Sequence, residues 1–456
     1  MVQQLLSMKL VPQWTAAAGV ILVLSQMGIM CAWTSPYLAK LTTPAGETFL
    51  LDMDEASWVA SLLNVGRFIG AIIGALCVNF WGSKNALIHT LIPMTLSWAL
   101  IAIAKSAEML YVARIMGGTG LGMAFSCFPL YIGEIALPTI RGAIVTIAFC
   151  GSPFGNVLAS AICPYLSMSI SAIVFLIPCV ADIALFLWLP NSPHHLMKIG
   201  DEEGARKAIS WYRSGEQVDE EFKEVQRFVS SPDSLKDKLN EFKNPPIRMA
   251  FFIATMLFMY MQISGLNSLL FYQEIIIRKS KSELMNPSTS VILVSVSGAV
   301  TSILTINLMD RCGRKFLLIV SGLGLTLSML MLGTHFELMD LGFDPRNFKW
   351  LPAASVFLFM VSFVFGLMPV PSAILSELFP ANIKCVAACM ASIAGALFAF
   401  IATKTYQPMV DLIGEAYVFY TYAALVITVV PFVLCFMPET KGKSLQEIQD
   451  LLTKKT

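Results

Sequence analysis

The sequence predicts an all-α integral membrane protein with twelve transmembrane helices. Hydrophobic residues make up 56% of its 456 residues and charged residues only 13%, whereas a soluble domain carries about 25% charged residues. The apolar residues form long runs, each near the roughly 20 residues that cross a bilayer as a helix. Six runs precede and six follow one long charged stretch, residues 190–247. Open strands are excluded because backbone polar groups in lipid must find their partners within the segment.

The predicted spans follow in chain order from these runs. They cover residues 14–38, 56–80, 86–104, 109–134, 142–164, 168–189, 248–272, 288–309, 316–335, 350–376, 385–409 and 416–437. The first span is too long for a signal peptide and has no small-residue cleavage pattern, so we expect it to be retained. Because the number of spans is even, both termini are expected on one side of the membrane.

Charges in the short loops predict the orientation. Most loop lysines and arginines fall on the side of the termini, whereas the loops on the other side are acidic or mixed. The positive-inside rule therefore predicts cytoplasmic termini. The loop with Arg278, Lys279 and Lys281 is an exception that Glu274 and Glu283 partly balance. No sorting motif stands out, so the plasma membrane is the expected location.

The order of landmarks along the chain predicts two six-helix bundles related by an internal repeat. A glycine turn follows the second and the eighth span, a carboxylate ends the fourth and the tenth, and a proline motif follows the sixth and the twelfth. Such repeats are typical of secondary transporters. We expect an N-terminal bundle in residues 1–189, a cytoplasmic helical linker in 190–247, a C-terminal bundle in 248–437 and a cytoplasmic tail in 438–456.

Matched charges at the cytoplasmic helix ends predict a gate. Glu134 is followed seven residues later by Arg141, and Glu377 by Lys384. Such pairs can bridge adjacent helices and hold the two bundles together, and cations also favour the carbonyl ends of neighbouring helices. The alternative, that these charges only set the topology, stays open for any single loop. The candidate gating residues are Arg114, Glu134, Arg141, Asp310, Arg311, Gly313, Arg314, Lys315, Glu377, Lys384 and Glu439.

The motifs resemble those of the sugar porter family of the major facilitator superfamily from end to end of the chain. They are Arg114-x-x-x-Gly118-x-Gly120, Tyr131-Ile-Gly-Glu134 through Arg141-Gly142, Pro190-x-Ser-Pro193, Gln262-Ile-Ser-Gly265-Leu-Asn267, Asp310-Arg-Cys-Gly-Arg-Lys315 and Pro438-Glu-Thr-Lys-Gly-Lys-Ser-Leu-Gln-Glu447. Thr403-Lys-Thr-Tyr406 with Gly414-Glu-Ala416 is most similar to the facilitated trehalose transporters of insects. The resemblance implies the major facilitator fold and transport of a sugar, trehalose or a hexose, by alternating access.

The resemblance also implies a sugar site midway across the membrane, built from amides and aromatic rings. Gln262 and Asn267 suit it, because an amide both donates and accepts hydrogen bonds without burying a charge. On a regular helix these two side chains stand about 140° apart, so a break near Gly265 would be needed to bring them to one pocket. Amides are missing at the other expected positions, which predicts a larger and more apolar pocket. The residues expected to bind substrate or to line or close the pocket are Gln262, Asn267, Phe149, Met261, Ser372, Phe271 and Tyr272.

Energy coupling is predicted from the first span. Residues 13–38 contain no aspartate, glutamate or histidine, whereas the resemblance implies an aspartate there in proton symporters. A facilitative uniporter is therefore the favoured interpretation, with Asp182 of the sixth span as a packing residue. Two rivals stay open, which are a transporter of a less polar solute and a non-transporting sugar sensor.

Other classes of function lack a signal. The sequence has no metal-ligand spacing and no nucleophile motif, so neither an enzyme nor a cofactor or metal is expected. The glycines of residues 117–122 resemble a nucleotide loop, but they lie in an apolar helix where close helix packing explains them. The expected partners are a small-molecule solute and the lipid bilayer, with neither a nucleic acid nor an obligate protein partner.

Overall fold

The computed structural model describes residues 10–43, 49–213, 218–229, 241–282, 284, 286–441, 443, 447–448 and 451–452. Within these ranges it leaves out the side chains of residues 138–139, 142–143, 228–229, 306–307, 310, 376, 381–382 and 385.

Helices long and apolar enough to cross a membrane follow one another along the described chain, and there are eleven of them. One is a 51-residue helix, Met53–Ile103, which contains a non-helical residue at Gly82 (φ 80°, ψ 165°). The chain reverses there, so the second and third spans are separate crossings and the described part of the chain makes twelve. The prediction of twelve spans is confirmed.

The spans have these bounds, in chain order. They are Val11–Leu41 for the first, Met53–Ile103 for the second and third, Ala107–Ile135 for the fourth, Pro138–Phe149 with Gly151–Ile162 for the fifth, Met168–Trp188 for the sixth, Pro245–Ile263 with Leu266–Lys279 for the seventh, Pro287–Cys312 for the eighth, Arg314–Asp340 for the ninth, Trp350–Ser362, Phe363–Leu367 and Pro369–Leu378 for the tenth, Ala381–Ile413 for the eleventh, and Glu415–Ile427 with Val429–Cys435 for the twelfth.

Short amphipathic helices occupy the segment between the sixth and the seventh span. They are Pro193–Lys198, Glu202–Tyr212 and Val218–Val229. Tyr212 anchors them to the first six spans, because its carbonyl accepts a hydrogen bond from Gln13 Nε2 (3.0 Å) and its hydroxyl lies 3.1 Å from that of Tyr131. The membrane face that carries the described part of residues 190–247 is called the linker face below, and the other is called the opposite face.

Proline distorts the tenth span. The helix widens into a π-helical turn over Phe363–Leu367, immediately before Pro369. Proline has no backbone N–H to donate, and its ring clashes with the preceding turn of a regular helix. A π-helical turn accommodates this clash because its hydrogen-bonded turn contains one more residue than that of an α-helix. The second part of the span, Pro369–Leu378, then carries Ser372 and Glu377 towards the linker face.

Candidate functional site

The seventh span breaks where the sequence predicts, between Ile263 and Leu266. Gly265 adopts a left-handed conformation (φ 83°, ψ 8°), which favours glycine because it has no Cβ. The break rotates the following helix so that Asn267 Nδ2 donates a hydrogen bond of 2.7 Å to Gln262 Oε1. Both side chains are buried. The predicted break near Gly265 is therefore confirmed, and it joins the two amides that a regular helix would keep apart.

The other predicted pocket residues fall into an accessible and a buried group. Phe149 is 36% exposed and its ring meets that of Phe128 edge to face at 5.1 Å. Ser372 is exposed and Met261 is half-buried. Phe271 and Tyr272 are fully buried instead. These two lie beyond Asn267 towards the opposite face.

Tyr272 packs the seventh span against the eleventh. Its ring centroid lies 4.8 Å from that of Tyr406. One turn earlier, the Ser268 hydroxyl donates to the carbonyl of Ala402 (3.2 Å) and lies 3.0 Å from the Tyr422 hydroxyl. This half of the seventh span is therefore held by both the eleventh and the twelfth span.

Hydrogen bonds between the first six and the last six spans lie mainly towards the opposite face. Asn64 Nδ2 donates to Thr403 Oγ1 (3.2 Å), and Lys404 Nζ pairs with Asp54 Oδ1 (2.8 Å) while lying 4.0 Å from the centre of the Trp58 ring. Two further contacts join Ser160 with Ser295 (2.8 Å) and the backbone N–H of Glu274 with Ser35 Oγ (3.0 Å). Among the described residues, Lys404–Asp54 is the only ion pair between the two sets of spans. The structure is therefore closed at its opposite face.

On the linker face, the turn after the eighth span forms a charged cluster. Gly313 (φ 83°, ψ 159°) places the backbone N–H groups of Arg314 and Lys315 against the Glu439 carboxylate, at 3.1 and 3.2 Å. The Arg314 guanidinium donates to Glu377 Oε1 from both Nε (2.9 Å) and Nη2 (2.7 Å). Five of the predicted gating residues, Gly313 included, thus meet at this turn.

The turn after the second span repeats this geometry with different chemistry. Gly82 has nearly the same backbone angles as Gly313, and the following residue, Ser83, donates to Glu134 as Arg314 does to Glu377. Ser192 Oγ donates a second hydrogen bond to Glu134 (2.5 Å). In the first half, two neutral hydroxyl groups therefore donate to the Glu134 carboxylate. In the second half, a guanidinium donates to the Glu377 carboxylate.

A histidine of the linker covers the first turn. A Cβ added to Gly82 would lie 2.4 Å from Cγ of His195, so this ring occupies the place that Glu439 takes beside Gly313. Burial lowers the pKa of His195, and the neighbouring Lys198 lowers it further. The imidazole is therefore neutral near pH 7, and it contributes packing rather than charge to this turn.

In this conformation neither helix-end carboxylate pairs with the cation seven residues later, because Glu134 bonds Ser83 and Ser192 and Glu377 bonds Arg314. Arg141 is exposed, and its one side-chain hydrogen bond runs to the carbonyl of Ala136 (3.4 Å). The serine hydroxyls and Arg314 lie on adjoining helix ends beside the carboxylates, whereas Arg141 and Lys384 lie in the first turn of the following helix, which begins at Pro138 or Ala381.

The remaining gating candidates lie around these clusters. Lys384 is half-buried on the linker face, and Arg311 is exposed. The carbonyl of Arg311 accepts a hydrogen bond of 2.6 Å from Lys441 Nζ. The side chain of Asp310 lies outside the described residues.

Arg114 lies far from the gate charges and is fully buried among the first, second and fourth spans. It donates to the carbonyls of Val59 (3.1 Å) and Met30 (3.0 Å) and to Thr34 Oγ1 (2.5 Å). All of these partners belong to the first six spans and lie near the opposite face. The guanidinium therefore cross-links helices within one half of the molecule.

Sequence reasoning missed Ser83, Ser192 and His195, although Pro190-x-Ser-Pro193 was recognised as a motif. A signal was present, because Ser83 and Arg314 hold equivalent positions in the two glycine turns. Aligning the two halves residue by residue would have assigned Ser83 to Glu134.

Glu134 and Glu377 hold equivalent positions in the two halves, but their different partners predict different effects when each is replaced by glutamine. We expect Glu377→Gln to lower the melting temperature of the purified protein, because the charge-assisted bonds from Arg314, worth about 1.5–3 kcal/mol in favourable cases, become neutral. We expect Glu134→Gln to leave it unchanged or raise it, since serine hydroxyls bond an amide equally well and a neutral group is cheaper to bury. Equal losses in the two variants would contradict this difference.

A fold of twelve spans, with a glycine turn in each half and a broken seventh helix, defines a multi-pass membrane transporter of the major facilitator type. Solved structures share this fold. The inward-open xylose transporter XylE from E. coli has a TM-score of 0.77 at 22% identity. The alignment covers 96% of this chain and 99% of that transporter. The proton:xylose symporter XylE bound to 6-bromo-6-deoxy-D-glucose has a TM-score of 0.75 at 22% identity, with the same coverage.

The sequence comparison places the chain more closely. It matches the family described as "Sugar (and other) transporter" over residues 15–452. The chain belongs to this family. It is 32% identical over 449 residues to the facilitated trehalose transporter Tret1 of Polypedilum vanderplanki, covering 96% of this chain and 87% of the relative. It is 31% identical to Tret1 of Drosophila virilis over 445 residues, covering 96% of this chain, and spans about half the length of that relative (48%).

Proposed function

We propose that the protein carries sugars across a membrane by alternating access, as a facilitator that runs down the substrate gradient. The observation that carries this proposal is the amide pair Gln262–Asn267 at the break in the seventh span. Discontinuous helices near the midplane are where transporters of this kind build their substrate sites. The relatives named as facilitated trehalose transporters support trehalose as a substrate, with hexoses as the alternative.

The binding step follows from the bond between the two amides. In the structure Asn267 uses one N–H on Gln262, and a sugar hydroxyl can replace that bond because hydroxyls both donate and accept. The exchange of one hydrogen bond for another costs little, so the site can release its sugar again. Phe149, Met261 and Ser372 would line the site, while Phe271 and Tyr272 would close it towards the opposite face.

The orientation of the protein completes the proposal. The loop cations favour a cytoplasmic linker face, cytoplasmic termini and insertion in the plasma membrane. With that orientation the structure is inward-facing, because its interhalf contacts lie at the opposite face. The moving bodies would be residues 1–189 and 248–437, joined by the linker 190–247 and followed by the tail 438–456.

Switching would exchange one set of contacts for another. Opening the opposite face requires the Lys404–Asp54 and Asn64–Thr403 contacts to separate. The linker-face charges would then draw the two halves together, which is the role we propose for the gating candidates. Arg114 would keep the first half rigid while it moves.

The proposed substrate site is tested by uptake of labelled trehalose and glucose into proteoliposomes. We expect Asn267→Ala to raise the KM about tenfold, because the loss of a buried hydrogen-bond partner costs about 1–3 kcal/mol and about 1.4 kcal/mol is a factor of ten. Asn347→Ala is the matched control, since Asn347 lies exposed in the loop before the tenth span.

The same vesicles test the mode of transport. A facilitator gives saturable uptake that an imposed proton gradient leaves unchanged. Acceleration by the gradient would replace the uniporter with a symporter. If correctly folded protein moves neither sugar, trehalose and glucose are both excluded as substrates.

A less polar solute is the second candidate, and the accessible ring of Phe149 favours it. Together with Met261, this ring gives the site an apolar wall that offers hydroxyl groups no partner. Competition separates the candidates, because alkyl glucosides would then inhibit uptake more strongly than free glucose.

A further inference from the structure

An arginine stands in the middle of the second span. Arg67 lies midway between Met53, where this helix begins, and Gly82, where it turns. It is therefore placed near the centre of the bilayer, where an ionised side chain is costly and is retained mainly at substrate paths or in ion pairs. Arg67 is also surrounded by protein, yet part of its side chain remains accessible.

The contacts of Arg67 leave its charge uncompensated. Nη1 donates one hydrogen bond to Asn64 Oδ1 (3.2 Å), and the guanidinium lies 5.8 Å from the centre of the Phe125 ring. Among the described residues no carboxylate lies within ion-pair distance, and the other guanidinium nitrogens make no hydrogen bond. None of these nitrogens is fully enclosed by the surrounding protein. They therefore keep some accessible surface.

Arg114 shows what a structural arginine looks like in the same bundle. It is fully buried, and all three of its guanidinium nitrogens donate to oxygens of neighbouring helices. Arg67 has a single such bond and keeps accessible nitrogens. Helix packing accounts for Arg114 and leaves Arg67 unexplained.

Arg67 faces the space between the two halves of the molecule. Asn64, one helical turn away on the same face of the span, donates to Thr403 of the eleventh span. On the other side, Phe125 touches Phe128 (6.4 Å between ring centres), and Phe128 touches Phe149 (5.1 Å). A chain of ring contacts through the buried Phe128 thus links the Arg67 side chain to the proposed pocket residue Phe149.

We infer that the substrate carries a negative charge, as a carboxylate or a phosphate on a sugar-like body, and that Arg67 binds this group. The inference rests on the proposed function, because it takes the space between the two halves as the transport path. A guanidinium binds either anion through two parallel N–H···O bonds, and Arg67 has the free nitrogens for them. The amide pair Gln262–Asn267 would bind hydroxyls of the same molecule from the second half.

The wild-type protein gives the first test. Proteoliposomes are supplied with labelled glucuronate, glucose 6-phosphate, glucose or trehalose, and a potassium gradient with valinomycin sets the membrane potential. We expect saturable uptake of one of the two anions, faster when the interior is positive because a net negative charge crosses. Glucuronate alone would identify a carboxylate substrate, and glucose 6-phosphate alone would identify a phosphate.

Two variants give the second test. We expect Arg67→Gln to lower anion uptake at least tenfold, a larger loss than it causes for any neutral sugar that the protein carries. Arg67→Lys keeps the charge without the fork of donors, so it should retain an intermediate rate. Melting curves of both purified variants show whether they fold, and the potential dependence of the wild type stands without them.

The failures of the two proposals differ. Uptake of neutral sugars alone, with neither anion carried, overturns the anionic substrate and leaves sugar transport in place. If folded wild-type protein carries none of the four compounds, both proposals fall. Anion uptake that Arg67→Gln leaves unchanged overturns the role of Arg67.

Discussion

Replacing Gly118 by alanine is expected to remove most of the folded protein. An added Cβ would lie 2.0 Å from the carbonyl oxygen of Leu63 and 2.9 Å from Cα of Gly66. Both of these are backbone atoms of the second span, so no side chain can turn aside. The second and fourth spans would have to separate along their contact, and dispersion contacts fall away steeply when a packed interface opens.

Gly133 offers a matched control on the same helix. A Cβ at this position meets nothing within 4 Å, and alanine favours a helix over glycine by about 0.8–1.0 kcal/mol. We therefore expect Gly133→Ala to be neutral or stabilising, while Gly118→Ala loses the monodisperse peak in size-exclusion chromatography. Equal yield and melting temperature for the two variants would show that helices two and four do not touch at Gly118.

The spans were predictable because lipid imposes one rule on every residue of a segment. Each crossing needs a long apolar helix, so hydropathy alone located all twelve crossings of the described chain. The break at Gly265 and the distortion before Pro369 were predictable for a related reason. Both arise from the backbone chemistry of a single residue, and this chemistry does not depend on what lies nearby.

The partners of the gate charges were not predictable in this way. Spacing along the chain suggested that Glu134 meets Arg141, whereas its partners Ser83 and Ser192 come from two other segments. Hydropathy says that a helix crosses the membrane, but it does not say which helix ends adjoin at the surface. Such contacts depend on how the helices pack, which no single segment encodes.

Arg67 illustrates a signal that was visible but not used. An arginine inside the predicted span 56–80 is unusual by composition alone. The sequence does not show how many hydrogen-bond partners an arginine in a helix bundle has. All three guanidinium nitrogens of Arg114 donate hydrogen bonds, whereas Arg67 donates only one. The structure distinguishes these cases through the bonds that each guanidinium makes.

Replacing Gly313 by alanine is expected to abolish most transport while leaving a folded protein. The angles of this glycine (φ 83°, ψ 159°) belong to a region that is essentially closed to other residues and costs about 1–3 kcal/mol to occupy. A Cβ there would also lie 3.0 Å from Glu439 Oε2. The turn must change shape, and the N–H groups of Arg314 and Lys315 would then leave the Glu439 carboxylate.

Gly322→Ala is the control for this prediction, because Gly322 lies on the ninth span, which begins directly after Gly313, and its added Cβ would make only ordinary contacts of 3.6 Å or more. We expect Gly313→Ala to reduce the uptake rate about tenfold, as a loss of about 1.4 kcal/mol in the gate would do, with Gly322→Ala near the wild-type rate. Transport of the Gly313 variant at the wild-type rate would mean that the charged cluster around this turn plays no part in switching. A slow Gly313 variant with normal substrate affinity would instead locate the defect in the conformational step, because the amide pair of the seventh span is untouched by the substitution.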